Sequence, residues 1–165
     1  MDLRRFWRHI AMTPWKARMA FSPATRAAIG RAVAELEKSH RGELRFVIEA
    51  ELTSAQLWAN LGSRRRAMQL FATLGVWDTA ENTGVLVYVL LADHKVEIVA
   101  DRGIAAKVDP SEWKAACATM QAAFRNGHFE EGAVAGITAI SSILEKHFPA
   151  DATNRNELPD QPVML

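Results

Sequence analysis

The side chains best suited to chemistry are oxygen donors: Asp78, Glu81 and Asn82 within the segment Asp78-Thr79-Ala80-Glu81-Asn82, Asp101 further on, and Glu43 before them. Carboxylates and amide oxygens suit a hard cation such as calcium, which takes roughly six to eight oxygen ligands. The segment is not an EF-hand, because Ala80 occupies the third position, where that loop needs an oxygen. Nucleophile motifs are missing: there is no Gly-x-Ser-x-Gly, no Walker loop and no Asp-x-Asp pair. Cys117 has Ala123 six residues on, where a phosphate loop of the Cys-x5-Arg kind needs arginine, so it reads as a buried helical thiol. His9, His40, His94, His128 and His147 show no ligand spacing and mostly fall at element ends, which predicts surface or capping roles. The tryptophans read as core rather than as a binding box.

A charge in an apolar stripe is the other notable feature. Read as one helix, residues 54–75 place Arg64 with Leu57, Leu61, Met68 and Phe71 on the face toward a sheet. A charge there needs a partner, and Glu49 or Glu43 on the first strand would supply it as an ion pair.

The elements that must position these residues follow from periodicity. Residues 43–52 alternate, with Leu44, Phe46 and Ile48 on one face and Glu43, Arg45, Val47 and Glu49 on the other. Val85 to Ala92 is an unbroken β-rich run, the mark of a central strand covered on both faces. Asp93-His94 turns it into a third strand, 95–100. Ser22-Pro23 and Asp109-Pro110 are helix starts, each a capping side chain followed by proline. The last helix is predicted over 129–147, and its Gly132 and Gly136 leave room for a neighbouring backbone.

Strands one and two, joined through a helix, should run parallel with a right-handed crossover, and the third should return antiparallel. The fold class is therefore α/β, a three-layer α/β/α sandwich with a small mixed sheet. Three units are expected: a basic amphipathic N-terminal arm (1–21), the α/β domain (22–148) and a loose polar tail (149–165). With that topology Glu43, the loop with Asp78, Glu81 and Asn82, and the turn with Asp101 and Arg102 share one edge of the sheet. That edge is either a cation site or an internal salt bridge made by Arg102.

At 165 residues, 49% apolar and 24% charged, the chain is an ordinary globular domain. One cysteine excludes an internal disulfide and fits a reducing compartment, so a cytoplasmic location is expected, peripheral at the membrane if the arm touches lipid. Residues 1–41 carry nine Lys/Arg against three Asp/Glu, and the remainder eleven against sixteen. A basic arm on an acidic body argues against nucleic acid as a partner and favours an anionic membrane surface or a protein.

The run Asn82-Thr83-Gly84-Val85-Leu86-Val87-Tyr88-Val89-Leu90-Leu91, with the turn Ala92-Asp93-His94-Lys95, strand Val96-Glu97-Ile98-Val99 and element Phe124-Arg125-Asn126-Gly127, resembles the TPM domain family. The likeness spans about residues 22–148 and is nearest the small bacterial branch without an export signal. Asp101-Arg102-Gly103 stands where many members carry Gly-x-Gly. The resemblance implies an α/β/α fold, calcium binding, phosphatase activity in some members and roles in the upkeep of membrane complexes. The resulting expectation is a binding module that takes calcium at the acidic edge and engages a membrane-associated protein partner. The alternatives are a metal-assisted phosphomonoesterase and a purely structural interaction subunit.

Overall fold

Alternation over 43–52 produces strand β1 (Glu43–Glu49), and the apolar run produces β2 (Gly84–Leu90). The computed structural model describes residues 3–151 and 156–165. β1 and β2 pair in parallel, with Glu43 opposite Gly84 and Glu49 opposite Leu90. β3 (Lys95–Ala100) returns antiparallel along β2 through a turn in which His94 adopts φ 52°. Every residue of β2 is buried, as its unbroken apolar run requires.

Three helices cover the face carrying Leu44, Phe46 and Ile48: α3 (Pro23–Leu36), α7 (Pro110–Arg125) and α8 (Phe129–His147). Ser22 and Asp109 cap the first two as expected, accepting from the amides of Thr25 and Ser111. The glycines of α8 set its distance from α7: a Cβ at Gly136 would come within 2.3 Å of the Met120 side chain, and one at Gly132 within 2.6 Å of Ala123 Cβ. The opposite face, carrying Val47, Leu86, Tyr88 and Leu90, is covered by α4 (Ser54–Trp58) and α5 (Ser63–Thr73). These are the two outer layers of the sandwich. Ahead of them α1 (Leu3–Ala11) and α2 (Pro14–Ala20) divide at Thr13-Pro14, and α6 (Arg102–Ala105) is a single turn after β3.

Four sequence expectations are corrected. The tail expected to be loose adds strand β4 (Val163–Met164), parallel to β1, giving the order β3-β2-β1-β4. The reason is the otherwise open edge of β1, whose backbone groups need partners. Leu158 is buried in the lower core, and the Arg45 guanidinium donates to the carbonyls of Pro159 and Gln161. Residues 152–155 of that tail lie outside the described residues.

Secondly, residues 54–75 form two helices. A break at Ala59–Gly62, with Asn60 at φ 50°, resets the phase of the apolar stripe. Ala67 and Leu70 turn inward, while Met68 is 56% exposed. Arg66 rather than Arg64 therefore meets Glu49: its Nε and Nη2 donate to the carboxylate at 2.9 and 2.7 Å. The Tyr88 hydroxyl donates to the same group at 2.5 Å. Arg64 instead donates to the Ile98 carbonyl of β3.

Thirdly, His9 and His40 are buried. The Leu52 amide donates to His9 Nδ1, and His40 Nε2 meets the Ser141 hydroxyl at 3.1 Å. Burial in the apolar interior pulls His40 down to about 4, so the ring is neutral at physiological pH. Fourthly, only Trp113 is core; Trp7, Trp15, Trp58 and Trp77 are 54–70% exposed.

The Glu49 cluster gives a direct test. Arg66→Ala leaves a buried carboxylate with only the tyrosine, at an expected cost of roughly 3 kcal/mol. For a chain of this size that is a melting shift of about 6–12 °C. Arg64→Ala removes an exposed guanidinium and should cost about 1 kcal/mol or less. Equal losses in thermal melts would refute the assignment.

Candidate functional site

The edge that the topology was expected to gather exists, and it can be built residue by residue. Pairing of Glu43 with Gly84, and of Val85 with Ala100, brings the start of β1, the loop before β2 and the end of β3 to the same end of the sheet. Asp101 caps α6, its Oδ1 accepting from the Arg102 amide at 2.7 Å, while Oδ2 is buried and accepts no hydrogen bond. Asn82, held at φ 55°, turns its Oδ1 toward Arg102, whose Nε donates to it at 3.0 Å. Asparagine tolerates that left-handed conformation better than most residues. Gly103 lies close against this loop: a Cβ there would be 2.5 Å from the Asn82 carbonyl oxygen and 2.7 Å from that of Glu81. That contact explains the glycine at the third position of Asp101-Arg102-Gly103.

The other expected ligands are spread out. Glu81 accepts both bonds from Arg41 Nη1, at 2.9 and 2.8 Å, and Asp78 is exposed. Glu43 is turned away beneath the C-terminal segment. Its Oε2 accepts from the amides of Glu157 and Leu158, both at 2.9 Å. Burial pushes Glu43 above the usual carboxylate range, and the two amide bonds only partly offset it. Among the described residues no group of three or more His, Cys, Asp or Glu side chains is placed to share a metal ion. The donor set thus does not fit a closed calcium cage, because arginines hold Glu81 and Asn82 and amides hold Glu43. One component does suit a cation, the bare Oδ2 of Asp101.

Next to Glu43 lies a carboxylate that sequence reasoning missed. Glu37, in the 3-10 turn Glu37–Ser39, accepts from the Leu44 amide at 2.7 Å through Oε1. Burial, with smaller contributions from the nearby charges of Glu43 and Asp160, raises it to about 9. No local pattern marks Glu37, since its burial is decided only when the fold closes around it.

A second charged cluster ties down the arm at the far end of the sheet. Asp93, in the β2–β3 turn, receives Arg5 at 2.8 Å, Arg8 at 3.3 Å and His9 Nε2 at 3.1 Å. The Leu52 amide fills His9 Nδ1, so the ring proton of the neutral form sits on Nε2, facing Asp93. Burial lowers the His9 pKa, and the Asp93 charge opposes that only in part. Arg5 also donates to the Leu61 carbonyl at 2.7 Å. The arm is therefore docked on its own domain. Its outer surface nevertheless keeps Leu3, Trp7, Ile10, Trp15 and Met19 between 52% and 67% exposed. Arg4, Arg8, Lys16 and Arg18 are exposed beside them. The sequence showed both the basic charge and the tryptophans, but not that they share an outward surface.

Fold and edge together define an α/β/α module, and comparison with known proteins agrees. The model of the TPM domain matches residues 17–143, and the chain belongs to that family. It is similar to the NMR structure of BA42 protein from the psychrophilic bacterium Bizionia argentinensis. The identity is 29% and the TM-score 0.77, covering 87% of this chain and 94% of that one. The solution structure of the N-terminal domain of a protein from P. gingivalis shares the fold, with 20% identity and a TM-score of 0.61 over 77% of this chain and 78% of that one. A comparison with proteins of curated function finds no match.

Glu37 makes the stability of the fold depend on pH. The unfolded chain ionises this group in the ordinary carboxylate range, whereas the folded chain keeps its proton up to about 9. Its contribution to stability is therefore full in acid, declines as pH rises above the ordinary carboxylate range and is gone once pH has passed about 9. Glu37→Gln should remove that part of the alkaline decline, a slope of up to about 1.4 kcal/mol per pH unit. Urea unfolding of both proteins across neutral and mildly alkaline pH measures it. Parallel curves would mean that Glu37 ionises inside the fold.

Proposed function

We propose that this TPM domain is a docking module that seats its outward arm surface on an anionic membrane and there meets a membrane-associated partner. The observation carrying the reading is the outer surface of α1 and α2, where large apolar side chains interleave with arginine and lysine. Monomeric proteins seldom leave so many large apolar side chains together in water. Tryptophan and leucine suit the interfacial layer, and each basic residue near an anionic leaflet adds about 1 kcal/mol. Among the described residues no helix is long and apolar enough to cross a membrane, so the contact is of the surface kind. On this reading the Asp93 cluster serves to hold the arm in one orientation, with its apolar side chains turned outward.

The metal-assisted phosphomonoesterase reading has less support, since among the described residues no three His, Cys, Asp or Glu side chains are placed to share a metal ion, and no nucleophile replaces one. Burial pushes the Cys117 thiol up to about 11, which leaves it a poor nucleophile near neutral pH.

Sedimentation with vesicles tests the docking surface. Binding to vesicles rich in phosphatidylserine should exceed that to pure phosphatidylcholine at least tenfold and weaken with salt. The double variant Trp7→Ser/Ile10→Ser should lose most of it without loss of stability, since both side chains are exposed. Equal sedimentation by the variant and the parent would end the proposal.

Calcium at the acidic edge is a second reading, favoured by the bare, buried Oδ2 of Asp101. A cation arriving there would have to displace the Arg102 guanidinium from Asn82. Arg102→Ala should therefore strengthen calcium binding several-fold in calorimetric titration of chelator-stripped protein, and Asp101→Asn should abolish it. An absence of heat in both the parent and Arg102→Ala at millimolar calcium would dispose of the site.

A further inference from the structure

The end of the sheet opposite the acidic edge, where β2 finishes and β3 begins, holds a cleft of about 660 Å³ between α2 and the α7–α8 junction. Its volume lies in the roughly 300–1,000 Å³ range of small-molecule sites. Val89, Leu91 and Val96 line it from the sheet, and Phe124 and Phe129 from the helical side. The two phenylalanines stack at 5.6 Å, and Phe21 packs on Phe129 at 5.3 Å, so this wall is braced from behind. Met12 and Met19 of the arm region also line the cleft, and methionine adapts to flexible apolar guests.

The polar lining is of mixed sign. Lys16, Lys95 and Arg125 line the cleft together with Glu130 and Glu131. Both acids lie in the first turn of α8, where His128 provides no side-chain cap, so they answer the partial positive charge of the helix start. Among the described residues neither acid forms an ion pair with those cations. Lys16 is anchored by donating to the Ala11 carbonyl at 2.8 Å. What remains for a guest is an apolar trough whose three cations outnumber its two acids.

We propose that this cleft binds a single-chain amphiphile with an anionic head, of the long-chain carboxylate class. The alkyl chain lies along Val89, Leu91, Val96 and the phenylalanine pair, and the carboxylate meets Lys16, Lys95 and Arg125. The cleft adjoins the docking surface and shares Trp15, Lys16 and Met19 with it, but Trp7 and Ile10 do not line it, so the two can be tested apart.

The experiment uses the full chain without vesicles and titrates hexanoate, octanoate, decanoate and dodecanoate below their micellar concentrations, following the methyl NMR signals of Val89, Leu91 and Val96. Affinity should rise about three- to fourfold per added methylene until the trough is filled. An alkyltrimethylammonium of equal length should bind at least tenfold more weakly. Lys95→Glu/Arg125→Glu should weaken carboxylate binding at least tenfold. Both positions are exposed, and a thermal melt checks that the variant is folded. Trp7→Ser/Ile10→Ser should leave carboxylate binding unchanged, whatever it does to vesicle sedimentation. Affinity independent of chain length, equal binding of the cationic amphiphile, indifference to the charge reversal, or loss on changing Trp7 and Ile10 would each overturn the proposal.

Discussion

Strand β1 buries a carboxylate at each end, and most of the architecture answers that constraint. Glu43 and Glu49 are 3% and 5% exposed, so neither can rely on water. A buried, unpaired carboxylate would cost several kcal/mol, a large part of the net stability of a domain this size. Glu49 is satisfied by Arg66 and Tyr88, which fixes the roll of α5 against the sheet. Glu43 is satisfied by two amides of the C-terminal segment, which fixes where that segment crosses before it pairs as β4. One strand thereby positions a helix at one end and the chain terminus at the other.

The same strand directions separate the molecule into two working ends. Parallel β1 and β2 with an antiparallel β3 put the loop before β2 and the turn after β3 at one end. The β2–β3 turn, the arm and the apolar cleft fall at the other. At the first end Arg41 holds the Glu81 carboxylate and Arg102 the Asn82 amide; at the second, one acid, Asp93, holds two arginines and a histidine. Concentrating the arm's inward charge on Asp93 leaves its tryptophans facing outward.

The acidic edge shows how much of a site a sequence can express. Its membership followed from strand order, and the structure does bring Asn82, Asp101 and Arg102 into contact through Gly103. Its chemistry did not follow, because each ligand candidate had another suitor elsewhere in the chain. Arg41 takes Glu81, and the amides of residues 157 and 158 take Glu43. Side-chain partners separated by 40 or 114 positions leave no local trace.

By itself the sequence determined the family, the strand directions and the helix starts at Ser22 and Asp109, since these rest on alternation, apolar runs and capping, which act over a few residues. It misjudged Arg64 because a four-residue break after Trp58 shifts the helical phase, and periodicity carries no information across a break. It could not reveal that the polar terminus becomes a strand, because β4 has only two residues and owes its pairing to an edge β1 leaves open. Burial of His9 and His40 was likewise decided by tertiary structure: one ring fills a gap between the arm and the sheet, the other between the turn before β1 and α8. Both depend on contacts that exist only once distant segments have met.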